Sequence, residues 1–102
     1  MDEVEMVRYY LRGQNLEQLG RVDDAIEVYE LAVTGRFDST GPYDRLIALY
    51  GHQGRHQEVI RITEAALQYV RTYDDKKVWY RRMRSEAERA IKDVPRATPK
   101  NR

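Results

Sequence analysis

Gly20-Arg21-Val22-Asp23-Asp24-Ala25-Ile26-Glu27-Val28-Tyr29-Glu30-Leu31-Ala32 returns 34 residues later as Gly54-Arg55-His56-Gln57-Glu58-Val59-Ile60-Arg61-Ile62-Thr63-Glu64-Ala65-Ala66. The glycine, the arginine and Ile26, Glu30 and Ala32 recur unchanged, and Tyr9 and Tyr43 extend the register towards the N-terminus. Asp24 with Glu58, Ala25 with Val59, Val28 with Ile62 and Val33 with Leu67 are chemically alike. A gapless period of this length marks stacked supersecondary units, each unable to bury its apolar face alone.

Inside the stretch the residue order reads as the end of one helix and the start of another. Glycine adopts the left-handed backbone after a helix C-terminus without steric cost, so Gly20 and Gly54 stop helices and turn the chain. Asp23 and Asp24 then favour the positive end of a new helix dipole. That helix is predicted over 23–34, with Ala25, Ile26, Val28, Tyr29, Ala32 and Val33 inward. Its small and large side chains alternate as close antiparallel packing requires.

Working outward, Val4, Val7, Leu11, Leu16 and Leu19 recur at steps of mostly three to five, which predicts an inward stripe on a first helix over 4–19. Gly35 to Pro42 is a break, and Pro42 suits the first turn of the helix that follows. The second unit repeats the scheme with helices over 43–53 and 57–73, the latter placing Val59, Ile60, Ile62, Ala66, Leu67 and Val70 inward. From Asp74 to Val94 the apolar series Val78, Trp79, Met83, Ala87, Ala90, Ile91 and Val94 predicts a fifth helix. Glu88 stands where a third turn glycine would fall, so this helix runs on unbroken and caps the array. Its outer face is expected to carry Lys76, Lys77, Arg81, Arg82, Arg84, Glu86, Glu88 and Arg89.

With these residues in view the chain resembles the tetratricopeptide repeat, which has the same 34-residue length and a loose aromatic, Leu-Gly, Tyr, Ala-x3-Phe, Pro signature. Tyr9, Gly13, Ala25, Tyr29 and Ala32 match in the first unit, and Tyr43, Leu46, Tyr50 and Ala66 in the second. Arg12 departs from the usual Leu, Leu16 from Tyr, Ile47 from a small residue, Val59 and Thr63 from the Ala and aromatic, and neither unit closes with Pro. The resemblance implies an all-α fold: a five-helix α-hairpin array in a right-handed superhelix, with repeats over about 6–39 and 40–73 and a long capping helix over 74–94. It further implies a concave groove lined by first helices, here Tyr10, Gln14, Glu17, Gln18, Asp44, Ala48 and His52, with Arg82 from the cap, that binds a protein or peptide segment. Homotypic packing of exposed helix edges is the other form expected of such binding. The subfamily that clamps acidic chaperone tails uses a Lys and Asn in its first helix and an Asn in its third. Tyr10, Gln14 and Arg45 stand there instead, so that clamp is absent.

Length and composition bound the function classes. A chain of 102 residues is one domain, taken as residues 1–94, and 34% charged against 41% hydrophobic residues requires wet helix faces around a real core. A net charge of +1 gives no global field for nucleic acid or an anionic membrane. The absence of Cys excludes disulfides, thiolate nucleophiles and cysteine metal sites. The acidic start Asp2-Glu3-Val4-Glu5 is unlike a signal peptide, and no run reaches the length of a membrane span, so a cytoplasmic location is expected. Residues 95–102, with two Pro and no large apolar side chain, read as a disordered tail.

No enzyme, metal or cofactor is expected. His52 and His56 are four apart, but a glycine bend between them breaks their alignment as a metal pair, and the acidic residues fall at salt-bridge spacings. The sharpest charge cluster is Lys76, Lys77, Arg81, Arg82 and Arg84 with Trp79 and Tyr80 interleaved. It makes a nucleic-acid accessory protein the alternative function, with phosphates on the cations and a base on an aromatic ring. Two units are few for an array, so either the fifth helix supplies the missing burial or two chains do. A monomer is the expectation ahead of a homodimer.

Overall fold

The computed structural model describes residues 2–93, and all of its regular structure is helical: α1 Glu3–Gln18, α2 Val22–Thr34, α3 Thr40–His52, α4 His56–Tyr69 and α5 Asp74–Asp93. The fold is all-α, as the sequence implied. Each helix packs chiefly against its neighbours in the chain, which makes a sequential stack in which α1 and α5 are the ends. Val94 and the expected tail at 95–102 lie outside the described residues.

Local chemistry sets the boundaries. Asp2 caps α1 reciprocally: its carboxylate accepts the Glu5 N–H at 2.8 Å while its own N–H donates to the Glu5 carboxylate at 3.4 Å. Gly20 and Gly54 lie at φ +76° and +70°. Around the first, Arg21 N–H donates to the Leu16 carbonyl at 2.8 Å and Gly20 N–H to that of Glu17 at 2.9 Å. Around the second, Arg55 donates to Tyr50 at 2.9 Å and Gly54 to Gly51 at 3.1 Å. Arg21 and Arg55 then begin the next helices with nearly the same backbone, φ −92° and ψ 69° against φ −86° and ψ 69°.

The turn after α2 uses the same two hydrogen bonds, with Arg36 at φ 58° in the place of a glycine. Its guanidinium lies over the Tyr69 ring, 5.0 Å from the centroid. Two boundaries differ from expectation. Helix α3 begins at Thr40, three residues early, because Pro42 in the first turn lacks only an N–H that has no helical acceptor there. Helix α4 ends at Tyr69 because Val70 turns extended at ψ 125°, and 70–73 become the link to α5.

The main core runs through all five helices, around Leu16, Ile26, Tyr29, Tyr43, Leu46, Tyr50, Ile62, Val70 and Tyr80. A smaller cluster of Met6, Ala32 and Phe37 closes the N-terminal end. All six positions expected inward on α2 are buried or half-buried, and so are Val59, Ile60, Ile62, Ala66 and Leu67 of α4 and Val70 just past its end. On α4, Thr63 is also fully buried, its hydroxyl donating to the Ile60 carbonyl at 2.8 Å.

The inward face of α1 is a correction. Val4, Val7, Leu11 and Leu19 are 60, 41, 51 and 71% exposed, while Met6, Gly13 and Leu16 are buried and Tyr9 and Tyr10 half-buried. Both sets have helical spacing, so periodicity alone does not say which faces the protein. Gly13 decides it, because its missing side chain admits the Tyr29 ring of α2. On α5, Val78 is likewise 58% exposed, and Tyr80, read from sequence as part of the basic cluster, is completely buried.

Candidate functional site

Three carboxylates organise the polar surfaces, each taking a tyrosine hydroxyl and a cation. Glu17 of α1 accepts from Tyr29 of α2 at 2.6 Å and from the Arg45 guanidinium of α3 at 2.6 and 2.9 Å. Asp44 of α3 accepts from Tyr80 at 2.8 Å and pairs with Lys76 at 2.6 Å, both on α5. Glu30 of α2 accepts from Tyr50 of α3 and from Arg61 of α4, which Glu58 also holds at 3.1 Å. Each carboxylate thus ties its helix to one or two others.

The electrostatics follow from the geometry. Arg45's hydrogen bonds hold the Glu17 carboxyl below its usual range against the opposing effect of desolvation, and Glu17 in turn raises Arg45. Arg61 likewise lowers Glu58 and is itself raised, first by Glu30. Burial, reinforced by the neighbouring carboxylates, raises the Tyr29, Tyr50 and Tyr80 phenols above their ordinary value. Burial pushes Tyr43, whose hydroxyl donates to the Phe37 carbonyl at 2.9 Å, up to about 12.

The groove residues named from sequence therefore separate. Glu17 and Asp44 spend their carboxylates on internal bonds. Tyr10 lies half-buried over Tyr29, ring centroids 6.1 Å apart, and its hydroxyl accepts from the Gln14 amide at 3.0 Å. Gln18, Ala48 and His52 are exposed, and Arg82 is exposed on α5 with Glu86 3.9 Å away. Arg45 and Lys76 are the cations that join this face across α1, α3 and α5. Their partners lie 28 and 32 positions off in the chain, so no local pattern announces them.

In the basic cluster, Lys76 sits over the Trp79 ring at 4.2 Å while bound to Asp44, and Tyr80 is enclosed. Trp79 is the aromatic of that cluster with any exposure. His52 and His56 flank the left-handed Gly54, and no three His, Asp or Glu side chains converge as a metal site among the described residues. None of the described helices is long and apolar enough to cross a membrane.

The outer face of α1 has a different character. Val4, Val7 and Leu11 form a ridge between two open hollows. One is lined by Glu3, Val4 and Val7 with Phe37, Asp38 and Ser39 from the α2–α3 connection. The other is lined by Arg8, Leu11, Arg12, Asn15, Leu16 and Leu19 with Arg21. An apolar strip runs through both, acidic at the N-terminal end and basic further along. Periodicity alone predicts Val4, Val7, Leu11 and Leu19 inward, whereas they stand outside and Leu16 alone of that stripe is buried.

No protein-family model matches the chain, and no curated protein and no solved structure matches it.

Proposed function

We propose that the chain is a non-catalytic protein–protein interaction module that engages its partner by packing the outer edge of α1 against it. The observation that carries this is the ridge of Val4, Val7 and Leu11 on α1, all at least 41% exposed at the end of the stack, with Leu19 exposed at the helix C-cap. Scattered exposed apolar residues need no explanation, whereas a contiguous helical strip does. Helix packing between repeat units buries such strips. The resemblance to tetratricopeptide repeats supports the same class of activity.

Affinity recovery of proteins from a cell extract tests this, with wild type, Leu11→Asp and Val78→Asp as baits. Leu11 and Val78 are similarly exposed, so neither change disturbs the core. Wild type and Val78→Asp are expected to retain specific partners that Leu11→Asp loses. Equal recovery by all three refutes the proposal.

The face shared by α1, α3 and α5 favours a second reading, capture of an extended segment. Arg45 and Lys76 stand there partly exposed, each already oriented by a carboxylate that a tyrosine fixes, which reduces the ordering cost of binding carbonyl or carboxylate groups. Ala48→Arg would obstruct that face from an exposed position on α3. Partners lost by this variant and kept by Leu11→Asp assign the binding to the groove.

A further inference from the structure

We propose that the partner of the α1 outer face is a second copy of this chain, with the two α1 helices packed antiparallel about a twofold axis near Val7 and Arg8. This rests on the edge-packing reading above and adds the identity of the occupant.

Three observations point to self-association. The strip can be matched to a copy of itself, because a twofold axis between Val7 and Arg8 brings the exposed Val4 and Leu11 to the same level. Antiparallel packing about that midpoint brings Val4 of each chain to the level of Leu11 of the other. A twofold contact requires such a patch, in which the same surface serves both sides.

The charges are arranged in the same sense. Asp2, Glu3 and Glu5 occupy the first turn region, and Glu3 and Asp38 line the hollow beside it. Arg8 and Arg12 line the next hollow, and neither pairs with a carboxylate among the described residues. About the same midpoint, Glu3, Val4 and Val7 fall at the levels of Arg12, Leu11 and Arg8 of the other chain. The first three are the α1 residues that line one hollow, and the other three line the second together with Asn15 and Leu16. Antiparallel packing therefore sets each acidic end beside a basic segment and opposes the helix dipoles favourably, while parallel packing would set like charges at the same height.

The end-to-end contrast explains the third observation. The opposite end of the stack, α5, turns Arg81, Arg82, Glu86, Glu88 and Arg89 to water, with Val78 as its single large exposed apolar residue among the described residues. The α1 end carries instead an apolar ridge bordered by separated charges. One exposed helix face per chain is a small contact, so the dimer is a reversible one, dissociating on dilution.

Sedimentation equilibrium from micromolar to submillimolar concentration, at low and high salt, tests the proposal. The wild-type mass is expected to rise from the 12.1 kDa of one chain towards twice that value, and less steeply at high salt. Leu11→Asp and Val7→Asp should weaken association at least tenfold with unchanged helical circular dichroism, and Val78→Asp should leave it unaltered. Glu3→Arg sets a cation at the level of Arg12 of the other copy, and the double variant Arg8→Glu, Arg12→Glu sets a carboxylate at the level of Glu3. Each alone should associate poorly, and an equimolar mixture of the two should recover a dimer.

A wild type of single-chain mass throughout overturns the proposal, as does a Leu11→Asp variant that dimerises undiminished or a mixture no better than its components. Failure here and failure of the module reading are distinct. A monomeric wild type that still recovers partners lost by Leu11→Asp removes the second copy and keeps the binding face. Absence of both effects removes both.

Discussion

Replacing Gly13 and Gly51 by alanine, one at a time, should move stability in opposite directions, although both glycines lie inside helices. In an exposed helix interior, Gly→Ala stabilises by about 0.4–1 kcal/mol, through higher helix propensity and a less flexible unfolded chain. Gly51 is such a site: it is exposed, and an added methyl would meet only the Val59 side chain at 4.0 Å. At Gly13 the same methyl would stand 2.3 Å from Tyr29 Cε1 and 2.7 Å from Cδ1 and Cζ, well inside van der Waals contact.

Tyr29 has nowhere to go. It is fully buried, and its hydroxyl donates to Glu17 at 2.6 Å. Overpacking costs about 1–3 kcal/mol, and displacing the ring also forfeits part of a hydrogen bond to a charged group, about 1.5–3 kcal/mol. After subtracting the propensity gain of about 1 kcal/mol, Gly13→Ala should be destabilised by about 2–4 kcal/mol. In a domain of this size that is a fall in Tm of roughly 10 °C or more, against a small rise for Gly51→Ala. Thermal melts followed by circular dichroism, with urea titration to compare slopes, measure both. A Gly13→Ala variant at or above wild-type stability would refute the helix packing described for α1 and α2.

Raising the pH should unfold the protein cooperatively. Tyr29, Tyr43, Tyr50 and Tyr80 stay neutral in the folded state while their unfolded counterparts ionise near 10, so their contribution is complete below about pH 10 and is lost as pH rises above it. Near-ultraviolet tyrosinate absorbance should therefore show the ionisation of these four phenols coinciding with loss of helicity; their ionisation with helicity retained would contradict this. At the acid end, Glu17 is lowered, so its stabilisation is present above about pH 4.5 and disappears as pH falls through the folded value. The stability gap between wild type and Glu17→Gln should accordingly close on acidification, and a gap independent of pH would assign it to packing alone. Gly20→Ala and Gly54→Ala should each cost about 1 kcal/mol from the left-handed backbone alone, since neither added methyl meets anything within 4 Å, and urea denaturation without such a loss would contradict the turn geometry.

The sequence by itself determined the helical class, the number of helices and the two glycine turns. Those depend on contacts within a few residues: a left-handed glycine, acidic first turns and apolar spacing. The period of 34 carried the information further, because matching residues at matching turns meet the same local physics, as the near-identical backbones at Arg21 and Arg55 show. Tertiary structure alone decided which stripe of α1 faces inward, since two stripes of equal periodicity compete and only the approach of Tyr29 to Gly13 separates them. It also decided that Glu17 and Asp44 serve Arg45, Lys76 and two tyrosines, partners brought within reach by the stacking of helices distant in the chain. The candidate site moved for that reason: the polar groove read from first helices is partly used up internally, and the apolar residues assigned to the core stand outside it.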